Sequence, residues 1–90
     1  MVLEVVEHSP VAGYKFTIIL KSKNRADLDS SKAIEFAKEQ AIKIGFQARG
    51  LSNTPTIYPV NAAGEVTDKL LSGEDPVDHW RADFKFSTGL

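Results

Sequence analysis

The sequence contains no cysteine and no long run of apolar residues. Without thiols the chain has no disulfide framework and no thiolate zinc site, so packing alone must stabilise it. The N-terminal residues lack the basic region of a signal peptide, and no segment is apolar enough to span a membrane. These features predict a cytoplasmic protein that does not act at a membrane.

The sequence also lacks a strong excess of charge of either sign. Eleven basic and twelve acidic residues give a net charge of −1, so total charge favours no particular partner. The charges are nevertheless unevenly distributed. Residues 14–26 carry four cations and no acid, whereas residues 65–79 carry five acids and one lysine.

The composition, with 42% apolar and 26% charged residues, is typical of a folded globular chain. A length of 90 residues fits one domain, and neither a linker nor a repeat divides the sequence. We therefore expect a single domain over residues 1–90.

Two segments alternate between apolar and polar residues in the manner of half-buried strands. In residues 14–21 the apolar face holds Tyr14, Phe16, Ile18 and Leu20. In residues 80–86 it holds Trp80, Ala82, Phe84 and Phe86. Weaker strand patterns occur at residues 2–8, 46–51 and 56–60, and a short strand is predicted at 65–67.

One helix is predicted over residues 30–44. Asp29 or Ser30 can cap its first turn, and Gly45 can end it. The predicted apolar stripe consists of Ile34, Ala37, Ala41 and Ile44, and it is broadened by Ala33 and Phe36.

The pattern as a whole predicts an α+β fold, with a single amphipathic helix packed on a mainly antiparallel sheet of about five strands. The predicted order is strand, strand, helix, strand, strand, an optional strand, and a last strand. Between the last two, Leu70 and Leu71 are expected to cover one end of the core.

Catalytic and metal-binding motifs are missing from the sequence. His8 and His79 do not have metal-ligand spacing, and no nucleophile elbow occurs. The glycines of the segment 45–50 follow a helix, whereas a dinucleotide-binding loop precedes one. We expect no catalytic residue, no cofactor and no metal, and thus no enzyme, although an enzyme with a site not evident from sequence stays a further alternative.

The leading hypothesis is a small protein-interaction or regulatory module that binds another protein or a second copy of itself. Large aromatic side chains often anchor interfaces. The candidate partner contacts are Tyr58, Trp80, Phe84 and Phe86. The competing interpretation of the last three is that they form the core.

The alternative hypothesis is weak nucleic-acid binding through a basic strand and loop, because cations neutralise phosphates. Its candidate contacts are Lys15, Lys21, Lys23, Arg25 and Arg49. Tyr14 and Phe16 would stack on bases if they faced outward. Their alternation with Ile18 and Leu20 instead predicts that they face the core.

Overall fold

The computed structural model describes residues 3–11, 13–51 and 54–88. Within these residues it has an α+β architecture of five strands and three helices. In chain order they are β1 (Glu4–His8), β2 (Lys15–Ser22), α1 (Arg25–Leu28), α2 (Ser31–Ile44), β3 (Gly50–Leu51), β4 (Thr56–Val60), α3 (Asp68–Ser72) and β5 (His79–Ser87). No helix among the described residues is long and apolar enough to cross a membrane.

The sheet is built around β2 and β5, which pair antiparallel from Lys15 opposite Ser87 to Ser22 opposite Trp80. β1 pairs with the outer side of β2, with a register shift between Val5 and Glu7. β3 and β4 both pair with the outer side of β5. All of these pairings are antiparallel, as predicted for the sheet.

β3 and β4 form two halves of one interrupted edge. Leu51 lies opposite Phe86 and Thr56 lies opposite Asp83. Between these two pairs the chain advances by five positions, whereas β5 advances by three. The pairings of β3 and β4 with β5 are therefore not in one continuous register. Pro59 lies within β4, where its missing amide donor is tolerated because the strand is at an edge.

The long helix α2 begins and ends at the predicted residues. The Ser30 hydroxyl oxygen accepts a hydrogen bond from the Ala33 amide (3.3 Å). Gly45 ends the helix with φ = 119°, and its amide donates to the carbonyls of Ala41 and Ile42. This left-handed conformation favours glycine because a Cβ would strain it.

The core lies between α2 and one face of the sheet. The helix contributes small residues, Ala33, Ala37 and Ala41, which are fully buried. Leu28, Phe46 and Ala48 complete the cluster. The sheet contributes mostly large residues: Phe16, Ile18, Leu20, Ala82, Phe84 and Phe86. Small helix residues let the helix approach the sheet closely, so the large strand residues fill the space between the two layers.

The strand predictions are confirmed at 15–21, 56–60 and 80–86, and wrong in part elsewhere. Residue 2, the predicted start of β1, lies outside the described residues. Residues 46–49 are not a strand, because Phe46 turns back to stack on Phe16 with ring centroids 5.1 Å apart. The optional strand at 65–67 is absent from the described chain, and the element near that position is the short helix α3.

Three side chains depart from the predicted burial. Tyr14 precedes β2 and is 59% exposed, although its parity matches Phe16. Ile44 lies outside the buried stripe of α2, which is centred on alanines flanked by Ile34 and Phe36. Leu70 is buried as predicted, but Leu71 is 71% exposed because the two side chains leave a short helix in different directions.

Candidate functional site

The face of the sheet opposite α2, which we call the open face, is a candidate binding surface. The registers of β1, β2, β4 and β5 place its residues in one layer: Glu4, Glu7, Lys15, Thr17, Ile19, Lys21, Thr56, Tyr58, Arg81, Asp83 and Lys85. The central side chains, including Ile19, Tyr58 and Asp83, are half-buried by their neighbours.

One corner of the open face is covered. Val60 has the same parity as Tyr58, yet it is fully buried. It does not belong to the core beneath α2; instead α3 contacts β4, and Leu70 of α3 is also buried. α3 therefore closes the face at its Val60 corner and leaves the rows around Ile19 uncovered by any described helix.

Polar contacts order the middle of the open face. The Tyr58 hydroxyl donates to a carboxylate oxygen of Asp83 at 3.2 Å. Burial, and then the nearby negative charge of Asp83, raise the pKa of Tyr58 above its ordinary value near 10. Lys21 pairs with Glu4, with 3.4 Å between Nζ and the carboxylate oxygen. The Lys21–Glu4 ion pair contributes little stability, since both side chains are exposed to a large extent.

A cleft of about 350 Å³ opens at the end of the sheet near Ser22. It is lined by Glu4, Lys21, Ser22, Lys23, Asn24, Asp27, Asp78 and His79. Most of these groups already have partners within the cleft. Lys23 lies 3.6 Å from the Asp78 carboxylate, and the Ser22 hydroxyl donates to Asp27 at 3.4 Å while accepting from the Asn24 amide at 3.2 Å.

The histidine of the cleft, His79, lies between a carboxylate and a guanidinium group. His79 Nδ1 lies 2.8 Å from the Asp78 carboxylate, and Arg81 Nε donates to His79 Nε2 at 3.1 Å. In this geometry Nε2 faces a donor and Nδ1 faces an acceptor. The hydrogen bond to His79 is the main cause that lowers the pKa of Asp78, and Lys23 adds to it.

This arrangement does not favour general base catalysis. The nitrogen that would take a proton from a nucleophile is engaged by Arg81. The Ser22 hydroxyl is likewise used by Asp27 and the Asn24 amide. Among the described residues, no group of three or more histidines and carboxylates is placed to hold a metal ion.

The five cations predicted to contact nucleic acid fall into two separate groups. Lys21, Lys23 and Arg25 lie at the Ser22 end, and each has an acidic neighbour: Glu4, Asp78 and Asp29, respectively. Lys15 lies at the opposite end of β2, opposite Ser87. Arg49 lies there too, because its amide donates to the Ser87 carbonyl at 2.9 Å. The structure therefore does not form one continuous patch from these five residues.

The second group belongs to a larger surface that we call the basic end, comprising Tyr14, Lys15, Lys43, Arg49 and Lys85. Lys85 lies opposite Thr17, next to Lys15 on the open face. Lys43 is in the last turn of α2, three residues before Phe46, whose ring stacks on that of Phe16 next to Lys15 in β2. Within the described residues, none of these four cations forms an ion pair. The segments that build this end, 9–17, 42–51 and 84–88, contain no acid at all.

Sequence reasoning missed Lys43 and Lys85. Both are isolated cations in their own segments, so a search for clusters along the chain passes over them. The alternation of residues 80–86 already places Lys85 on the polar face. Its neighbour on β2 became known only from the register between β2 and β5.

The predicted partner contacts are also separated by the fold. Phe84 and Phe86 are 0% exposed beneath α2, which favours the core interpretation and leaves them unavailable to a partner. Trp80 is half-buried on the same side of the sheet, with the Arg25 guanidinium 6.0 Å from its ring. Tyr58 lies on the open face. Of the four, Tyr58 is thus the residue that remains in a candidate binding surface.

Comparisons of this chain with protein families, with curated proteins and with solved structures found no match. The function must therefore be argued from the geometry of the open face, the cleft and the basic end.

Proposed function

We propose that this protein is a small interaction module without catalytic activity, and that it associates with a second copy of itself through the open face. The observation that carries the proposal is the half-buried row containing Ile19 and Asp83, which lies at the centre of a sheet face that no described helix covers. Face-to-face packing of two sheets is a common way to bury such a surface.

The charges on the open face favour a second copy as the occupant. Acids flank Ile19 on both sides, since Glu7 and Asp83 are its cross-strand neighbours. Cations lie one or two rows further along the same strands, at Lys85 and Lys15. Two copies packed with their strands antiparallel bring the cations of one against the acids of the other, and a twofold axis repeats the contact.

The size of the face predicts a weak dimer. Four strands spaced about 4.8 Å apart, over about six residues of about 3.3 Å each, give a plan area of about 400 Å². A stable interface of standard size buries about 800 Å² on each partner. The expected complex is therefore dynamic, with a dissociation constant in the micromolar range or weaker.

The sheet edges do not favour association by strand addition. β1 is a short edge strand with a register shift and outward charges, and β4 contains Pro59. These features are typical of edges protected against pairing with another chain. They support association through the face of the sheet.

The test is analytical ultracentrifugation from about 10 μM to about 1 mM protein, the range in which a weak interface is populated. We expect a concentration-dependent dimer that weakens as salt screens the Glu7, Asp83, Lys15 and Lys85 charges. Ile19→Ser should weaken it. Ile42→Ser is the matched control, because Ile42 is exposed on α2, away from the open face. A protein that stays monomeric over this range at low salt contradicts the proposal.

The second candidate function is nucleic-acid binding. The observation that favours it is that the segments of the basic end contain no acid and that, in the part of the chain the structure describes, its cations form no ion pair. The cations at the Ser22 end contribute less, because their acidic partners already neutralise them. A location in the cytoplasm stays a prediction from the sequence for either function.

A further inference from the structure

We infer that the basic end binds single-stranded nucleic acid, with phosphates on its cations and a base stacked on Tyr14. This inference makes the second candidate function more specific and rests on it, but it does not depend on self-association. It moves the expected contact surface from the predicted basic strand and loop to Tyr14, Lys15, Lys43, Arg49 and Lys85.

The aromatic ring is presented to solvent by a fixed backbone. The Tyr14 carbonyl accepts a hydrogen bond from the Thr88 amide at 3.2 Å, which ties the residue to the end of β5. Gly13 precedes it with φ = 69°, a left-handed turn conformation that directs the chain into β2. The ring itself is 59% exposed. An exposed ring on an ordered backbone is what base stacking requires, because little entropy is lost on binding.

One cation lies beside this ring, and two more lie near that cation. Lys15 Nζ lies 5.6 Å from the ring centroid. Arg49 is held nearby through its amide bond to the Ser87 carbonyl, and Ser87 is the residue opposite Lys15. Lys85 is a diagonal neighbour of Lys15, about 7 Å away by the usual geometry of an antiparallel pair.

The spacing and charge of this surface fit a flexible polyanion. Phosphates of a single strand can follow cations on four segments: β2, the end of α2, the α2–β3 connection and β5. A duplex keeps its bases stacked on one another, so a single exposed ring has no base face to contact. An acidic protein segment would pair with the same cations but would leave the Tyr14 ring without a stacking partner.

Fluorescence anisotropy with a labelled oligothymidylate and a matched oligouridylate of about ten nucleotides tests the inference, because sites on single strands span about 4–16 nucleotides. Protein concentrations below the self-association range keep the protein monomeric. We expect binding at low salt, with a slope of log K against log salt of about −3 for four neutralised phosphates.

Three variants probe the two components of the site. Tyr14→Ala should weaken binding by about five- to tenfold through lost stacking, while Tyr14→Phe should retain it. Arg49→Glu should weaken binding and reduce the salt slope. Lys32→Glu is the matched control for charge: Lys32 is exposed in the first turn of α2, at the opposite end of that helix from Lys43.

The outcomes separate this inference from self-association. Tyr14, Lys43 and Arg49 are not among the open-face residues, so loss of nucleic-acid binding in Tyr14→Ala with an unchanged sedimentation profile supports the inference alone. No binding at low salt overturns it. Equal affinity of Tyr14→Ala and the unmodified protein overturns it as well. So does equal competition by polyphosphate or by a poly-glutamate peptide, which indicates a contact with charge only.

Discussion

The two faces of the sheet come from the same strands but have different roles. On β2 and β5, alternate residues point to α2 and to the open face. The covered face buries Phe16, Phe84 and Phe86 almost completely, in one cluster with the helix alanines. The open face carries charges around a few half-buried side chains. Both faces include β-branched apolar residues, such as Ile18 and Ile19. The burial of such a side chain therefore depends on whether a helix covers its face of the sheet.

The largest expected effect comes from comparing those two neighbours. Ile18 is 0% exposed beneath α2, whereas Ile19 is half-buried on the open face. Ile18→Ala should lower the free energy of unfolding by about 2–5 kcal/mol, because it removes buried methyl groups and leaves a cavity. Ile19→Ala should cost about 1 kcal/mol, from partial loss of apolar burial. Urea denaturation measures both, and equal losses would contradict the assignment of the faces.

A second variant tests how closely α2 approaches the covered face. Ala37 is fully buried between helix and sheet. Ala37→Leu should lower the free energy of unfolding by about 1–3 kcal/mol, because the larger side chain forces the two layers apart. Ala26→Leu is the control, since Ala26 is exposed in α1. If both variants are equally stable in thermal unfolding, α2 does not pack closely on the sheet.

A smaller effect is expected on the open face, from Tyr58. The pKa of Tyr58 is raised in the folded protein, so the folded state holds its proton more tightly than the unfolded state. This contribution is fully present below the ordinary value near 10, and it is lost as the pH rises through the folded-state pKa. Tyr58→Phe should therefore lose less stability between neutral and strongly alkaline pH.

Urea midpoints measured at neutral pH and above pH 10 check this expectation. Tyr14→Phe serves as the control, because it removes a tyrosine hydroxyl from an exposed position outside the sheet. An identical alkaline loss of stability in the Tyr58→Phe variant and the unmodified protein would show that the pKa of Tyr58 is not raised in the folded protein.

Local patterns in the sequence were sufficient for most of the regular structure. Alternation in residues 15–21 and 80–86 identified the two central strands and the face that each one buries. The cap at Ser30 and the glycine at 45 fixed the bounds of α2. The prediction was wrong at 46–49, where an alternating pattern resembles a strand, but the stacking of Phe46 on Phe16 decides the path of the chain.

The candidate surfaces were harder to predict than the elements that carry them. The sequence predicts Lys15 and Arg49 as nucleic-acid contacts because they are cations near a strand. The same reasoning predicts Lys21, Lys23 and Arg25, which lie at the other end of the sheet beside acids. Proximity along the chain does not indicate proximity in space once a strand is six or more residues long, since each residue advances it by about 3.3 Å.

The sequence by itself determined the α+β class, the long helix and the division of β2 and β5 into an apolar side and a polar side. Those features depend on short-range periodicity and on capping chemistry, which act within a few residues. Only the tertiary structure decided that Lys85 lies beside Lys15, that Tyr14 turns outward, and that Asp78 and Arg81 hold His79 between them. These arrangements depend on the register of paired strands and on side-chain packing, in which residues far apart in the chain select one another.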